Sequence, residues 1–166
     1  MLYGEVFKAL NKAKVKYVVA GGVAVILYGY ERLTKDLDLI VFLEDKKLNK
    51  FYEALINLGY QPKVPVKKEQ FIDPKQRKRW QKEKGMIVFS FCHTKPPFKV
   101  IDMFIQEPFP FAEIYKKRFE IEIERIKIPL ISINQLRILK QQAGRPHDLI
   151  DLVQLNKAAS ERNDEG

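Results

Sequence analysis

Two glycines and three aspartates are the residues of this sequence whose types and spacing suit chemistry on phosphates. Lys16 to Ala20 is a short, apolar, partly β-branched run that ends in Gly21-Gly22, the pattern of a buried strand entering a turn. Glycine there lets the backbone lie close to a ligand. Val23, Ala24, Ile26, Leu27 and Tyr28 follow at helical spacing, so the free N–H groups of the turn sit at a helix N-terminus, where phosphate binds well. In Asp36-Leu37-Asp38-Leu39-Ile40-Val41-Phe42, strand alternation buries the two leucines and sends both carboxylates to the other face. Carboxylates about 7 Å apart along one strand face repel. A divalent ion, Mg²⁺ or Mn²⁺, with hard oxygen ligands answers that repulsion.

A third acid lies inside an otherwise apolar run, Phe98 to Ile105, at Asp102. An unpaired acid in a strand is costly. If this strand lies beside the first, Asp36, Asp38 and Asp102 form a three-carboxylate cluster able to hold two ions, which would activate an attacking hydroxyl and steady a leaving pyrophosphate.

Gly21-Gly22, Asp36-x-Asp38 and the later Asp102, in that order and spacing, resemble the nucleotidyltransferase superfamily of the polymerase-beta type. Arg32-Leu33-Thr34-Lys35-Asp36-Leu37-Asp38 is similar to the "R-x-T-x-D-x-D" segment of small nucleotidyltransferases of abortive-infection and toxin–antitoxin systems. Lys140 to Leu152 is similar to their downstream "K…R…D…D" element, with His147 where those proteins usually carry a basic residue. The resemblance, spanning about residues 1 to 158, implies Mg²⁺-dependent transfer of a nucleoside monophosphate from an NTP, with Asp36, Asp38 and Asp102 as catalytic metal ligands. It further implies that Gly21, Gly22, Arg32, Thr34, Lys140 and Arg145 contact the nucleotide. A cognate antitoxin protein is the partner it suggests.

Each feature also has a plainer reading. Taken singly, Gly21-Gly22 is an ordinary strand-to-helix turn and D-x-D a solvated strand face; order, spacing and a third acid together favour the site. Lys140 and Arg145 either pair with Asp148 and Asp151 or face phosphate. Cys92 and His93 lack the spaced partners of a zinc site.

The elements that must position these residues read as an α/β (α+β) fold, a small mixed β-sheet with packed helices, in a single domain over 1–158 with a frayed tail at 159–166. The pattern predicts helices near 2–14, 23–28, 47–58 and 111–117, and strands near 17–20, 36–42, 86–91 and 99–105. Residues 119–124 alternate as an exposed edge strand that 125–128 pairs. Ser132 to Gln135 reads as a capping box opening a C-terminal helical hairpin over 132–158, with Gly144 stopping one helix and Pro146 starting the next.

The chain has 166 residues, 46% of them hydrophobic, one cysteine and a net charge of +9. A core is within reach, an intramolecular disulfide is not, and no run approaches the roughly 20 apolar residues of a membrane helix. A cytoplasmic location with no membrane partner is the expectation. Nearly all the excess charge falls in residues 61–100, with eleven Lys or Arg against three acids. Within it Lys75, Arg77, Lys78, Arg79, Trp80 and Lys82 join cations to an aromatic ring, a composition suited to RNA phosphates and to stacking on a base. The acceptor hydroxyl is therefore expected on RNA, such as a transfer RNA. A protein side chain, a small antibiotic and a non-catalytic nucleotide- or RNA-binding module are the alternatives.

Overall fold

Leu37, Leu39, Ile101 and Met103 are fully buried, whereas Asp38 and Asp102, one residue away from them on the same strands, are half-buried on the other side. That alternation fixes the two faces of the sheet. The computed structural model describes residues 1–164. Its strands are β1 (Tyr17–Ala20), β2 (Leu37–Val41), β3 (Tyr60–Pro62), β4 (Val88–His93), β5 (Val100–Phe104), β6 (Phe119–Ile123) and β7 (Ile126–Leu130). They form one mixed seven-stranded sheet in the order β3-β4-β5-β2-β1-β7-β6. Eight helices among the described residues accompany it, so the fold is the mixed α/β class expected: α1 (Gly4–Lys12), α2 (Gly21–Leu27), α3 (Asp45–Asn57), α4 (Lys68–Ile72), α5 (Pro74–Lys84), α6 (Phe111–Lys117), α7 (Ile133–Ala143) and α8 (Pro146–Asp164).

Strand directions sort the molecule into two poles. β1 is antiparallel to β2, and β2 is parallel to β5. The end of β1 and the starts of β2 and β5 therefore gather at one pole, where the aspartates are. The start of β1, the ends of β2 and β5 and the start of β7, which is parallel to β1, gather at the other.

The leucine face is covered by aromatic packing. Phe7 of α1 stacks on Tyr17, Phe51 of α3 meets Phe91 edge-on, and Phe71 of α4 and Trp80 of α5 pack on Phe89. Tyr3, buried just before α1, shares its one hydroxyl proton between the carbonyls of Lys35, at 2.5 Å, and Val100, at 3.0 Å. One side chain thus ties together the entries to the two acid-bearing strands.

Several expectations shift. The basic stretch forms two helices, α4 and α5, and β3, unforeseen, pairs with β4. Trp80 and Arg77 do not face a nucleic acid: each is about 5% exposed or less. Trp80 stacks on Phe89 with ring centroids 5.6 Å apart, and Arg77 donates to the Phe71 carbonyl at 2.9 Å. Burying an indole outweighs displaying it, and the charge of Arg77 is tolerated because main-chain carbonyls meet it. Lys75, Lys78, Arg79 and Lys82 are exposed. They lie on a helix against the face opposite the aspartates. α8 continues through residues 159–164, where a frayed tail was expected, because Leu155 and Ala158 bury its preceding turns. Residues 165 and 166 of that tail lie outside the described residues. No helix among the described residues is long and apolar enough to cross a membrane.

Trp80 is the single tryptophan. Its fluorescence is expected to be blue-shifted and unchanged by added RNA, and Trp80→Ala is expected to cost about 3–5 kcal/mol in denaturant unfolding.

Candidate active site

The site is assembled by register. Asp38 of β2 stands opposite Asp102 of β5 on one side and Ala20, the last residue of β1, on the other. Adjacent strands are only about 4.8 Å apart, so the two carboxylates are immediate neighbours on one face. Chain direction then turns at Gly21, whose φ of +61° suits glycine. A Cβ on Gly21 would lie 1.9 Å from Asp38 Oδ2, and one on Gly22 would lie 2.2 Å from Arg32 Nη1. At Gly21 the positive φ and the Asp38 carboxylate together exclude a side chain, so backbone and carboxylate share one small space; at Gly22 the Arg32 guanidinium would have to move. Thr34 belongs to the same contact, 2.9 Å from the Cβ position of Gly22. Asp36 sits just before β2 in exposed chain.

Burial, reinforced by the neighbouring Asp102 and Asp36 charges, pushes the Asp38 carboxyl up to about 7, although Lys140 pulls the other way. Asp102 is also raised, mainly by burial, while a hydrogen bond from Ser90 Oγ at 2.5 Å opposes the shift. Ser90 lies directly across β4 from Asp102. Its signal in the sequence was the alternation Val88-Phe89-Ser90-Phe91, which becomes informative only once the β4–β5 pairing is known.

The three acids do not close into one compact cluster as anticipated. Among the described residues, no three His, Cys, Asp or Glu side chains converge into a complete metal shell. Asp102 is turned onto Ser90, and Asp36 lies outside the sheet. The donors still fit a divalent cation. They are hard oxygens, burial and then the neighbouring Asp102 charge raise the Asp38 carboxyl to about 7, and Mg²⁺ commonly takes one or two carboxylates and fills its shell with phosphate oxygens and water. Asp38 and Asp102 would hold it, with Asp36 at the entrance.

The cations expected at the nucleotide meet in a buried ionic network. Lys140, 5% exposed, pairs with Asp148 at 3.1 Å and Asp151 at 2.9 Å. Arg145 Nε reaches Asp148 at 2.7 Å, and Arg32 reaches Asp151 at 3.2 Å. Of the two readings of Lys140 and Arg145, the pairing one describes these contacts. Burial alone would raise the Asp148 carboxyl, but hydrogen bonds from Arg145 and Lys140 outweigh it and hold it at about 2. The Arg145 side chain remains 62% exposed. Both helices of the hairpin owe their positions to local signals: Ser132 Oγ accepts from the Gln135 N–H at 3.2 Å, and Gly144 caps α7 with a φ of +62°.

Gly21, Gly22, Arg32, Thr34, Asp36, Asp38, Asp102, Lys140 and Arg145 thus line one cleft of about 290 Å³, joined by Lys35 and His147. A larger cavity lies elsewhere. The paired carboxylates, not size, make this cleft the candidate site. The exposed cations of α5 are not part of it.

Residues 4–158 match the family described as "Nucleotidyltransferase of unknown function (DUF6036)", and the chain belongs to that family. No curated protein matches it. Among solved structures it is similar to the lincosamide antibiotic adenylyltransferase LnuA in its lincomycin-bound form, at 18% identity and a TM-score of 0.60, covering 93% of this chain and 96% of that one. It is also similar to ANT(2")-Ia in complex with adenylyl-2"-tobramycin, at 13% identity and a TM-score of 0.60, over 99% and 91% of the two chains. A putative nucleotidyltransferase from Thermotoga maritima is similar at 13% identity and a TM-score of 0.57, over 99% and 92%. These likenesses are of fold.

Two outcomes are expected. Asp38→Asn raises the melting temperature of the metal-free protein by removing a crowded charge, and Mg²⁺ then stabilises the wild type but not the variant, read by thermal unfolding with and without a chelator. The Asp148 carboxyl is lowered in the fold, so its contribution is present above about pH 4 and disappears as pH falls toward 2. The wild type should lose about 2 kcal/mol across that window relative to Asp148→Asn, measured by denaturant unfolding at each pH.

Proposed function

We propose that this nucleotidyltransferase moves a nucleoside monophosphate from an NTP to a hydroxyl of RNA. The observation that carries the reading is the register pair Asp38–Asp102 set against the backbone of Gly21. The first amides of α2 have no capping side chain, since Ala20 occupies the N-cap, and they serve as donors to the triphosphate. Arg145, largely exposed at the cleft, meets charge developing on the departing pyrophosphate. Lys140 acts from below, fixed by Asp148 and Asp151, and its charge favours ionised Asp38. Asp102, oriented by Ser90, accepts the proton of the acceptor hydroxyl as its oxygen bonds to the α-phosphorus and the bond from that phosphorus to the bridging oxygen breaks. A bound Mg²⁺ would polarise the α-phosphate and stabilise the leaving group.

RNA is favoured as acceptor because so much of the exposed positive charge lies outside the cleft, where only a large polyanion can use it. A toxin-type role with a cognate antitoxin rests on the R-x-T-x-D-x-D and K…R…D…D resemblance. A small hydroxyl-bearing antibiotic is the second reading, favoured by likeness over most of the chain to LnuA, crystallised with lincomycin, and to ANT(2")-Ia, crystallised with adenylyl-2"-tobramycin.

Incubation with each α-labelled NTP and, separately, transfer RNA, a lincosamide and an aminoglycoside decides among these. Label is expected on RNA, and Asp102→Ala is expected to lower the rate by about 10²–10⁴-fold. Label on an antibiotic alone replaces the acceptor, and undiminished transfer by Asp102→Ala overturns its role.

A further inference from the structure

An open cavity of about 810 Å³ lies at the pole away from the cleft, where the end of α1 and the β6–β7 turn flank the start of β1. Lys8, Lys14, Lys16, Arg125 and Lys127 line it, offset by two acids, Glu120 and Glu124. All five cations are exposed, and none forms an ion pair among the described residues. Lys16 lies 5.7 Å from the centroid of the Tyr115 ring, whose faces are already taken by Phe111, stacked at 5.6 Å, and by the Arg118 guanidinium at 3.9 Å.

The backbone gives a second, independent observation. Lys14 has φ +56°, and the hairpin turn places Glu124 at +52° and Arg125 at +67°. Such turns ordinarily carry Asn-Gly, which adopt positive φ at little cost. Long charged side chains occupy the strained positions instead, and two of the three are cations facing the groove. Strain kept at specific residues points to use. α5 adds to this pole: Gln81 donates to the carbonyl of Ile105, just past β5, and the same helix exposes Lys75, Lys78, Arg79 and Lys82.

We infer that this groove, together with the exposed cations of α5, docks the body of an RNA by its phosphates while the cleft works on the RNA's end. The inference rests on the RNA-acceptor reading above. Cations spread around an open groove, without a buried donor at its centre, suit a repeating polyanion better than one small phosphate. RNA is favoured over an acidic protein because the exposed cations continue from the groove onto α5, a spread that suits a long, uniformly charged polyanion. No base is specified, so binding is sequence-independent and strongly salt-dependent.

The test is fluorescence anisotropy with labelled transfer RNA and, separately, a labelled polyglutamate peptide, on the wild type and Lys14→Gly/Lys16→Gln/Arg125→Gly. Glycine suits the positive φ at 14 and 125, so that variant is expected to fold. Lys8→Gln/Lys127→Gln, on regular helix and strand, supplies a second. Expected are an RNA affinity at least about tenfold weaker and a salt slope shallower by about 2 to 3 for the triple variant. NMP transfer to a short oligoribonucleotide should be unchanged. Unaltered RNA affinity in both variants overturns the inference, as does polyglutamate binding as tightly as RNA, which would assign the groove to an acidic protein. Groove-dependent RNA binding without label transfer to RNA supports the groove and overturns only the acceptor reading. Transfer to RNA with groove-independent binding does the reverse.

Discussion

Two carboxylates placed in register on neighbouring parallel strands set the terms for everything around them. Burial of Asp38, reinforced by repulsion from Asp102, pushes its carboxyl up to about 7. A fold does not retain such a pair for stability. The surrounding structure is arranged to keep both acids in place: Tyr3 ties the two strand entries together, Ser90 orients Asp102, and Gly21 removes the one side chain that would collide with Asp38. Leucine, isoleucine and methionine on the reverse face supply the burial that offsets the cost.

The helical hairpin is bound to this centre electrostatically. Lys140, Asp148 and Asp151 are withdrawn from solvent, and such groups are tolerated only when paired. Arg32 enters the network from the loop before β2, and its guanidinium lies over Gly22. One chain of contacts therefore runs from α8 through Arg32 to the glycine turn. Loss of any member disturbs the others, so single substitutions here report on the network as well as on the nucleotide.

Much of this was legible in the sequence. The alternation around Asp36 and Asp38 named the buried and open faces correctly, and Ser132, Gly144 and Pro146 marked the hairpin. Local signals sufficed because strand alternation and helix caps depend on neighbours in the chain. Partners set by long-range pairing were hidden: Ser90 matters through β4 lying beside β5, and Tyr3 through contacts 32 and 97 residues away. The run from Lys75 to Lys82 misled because composition does not reveal which side of a helix is covered. Trp80 and Arg77 turn inward at helical spacing, and only the remaining cations stay outside.

Charge is divided between the two poles of the sheet. At one, acids and cations are nearly balanced within a cleft; at the other, cations stand unpaired around an open groove. The proposed transfer depends on the first. A crystal grown with Mn²⁺ and a non-hydrolysable NTP analogue tests it most directly through the anomalous signal of the metal. A peak is expected between Asp38 and Asp102, about 2.0–2.2 Å from an oxygen of each and against the triphosphate over Gly21. A triphosphate bound with its metal away from both carboxylates would contradict it.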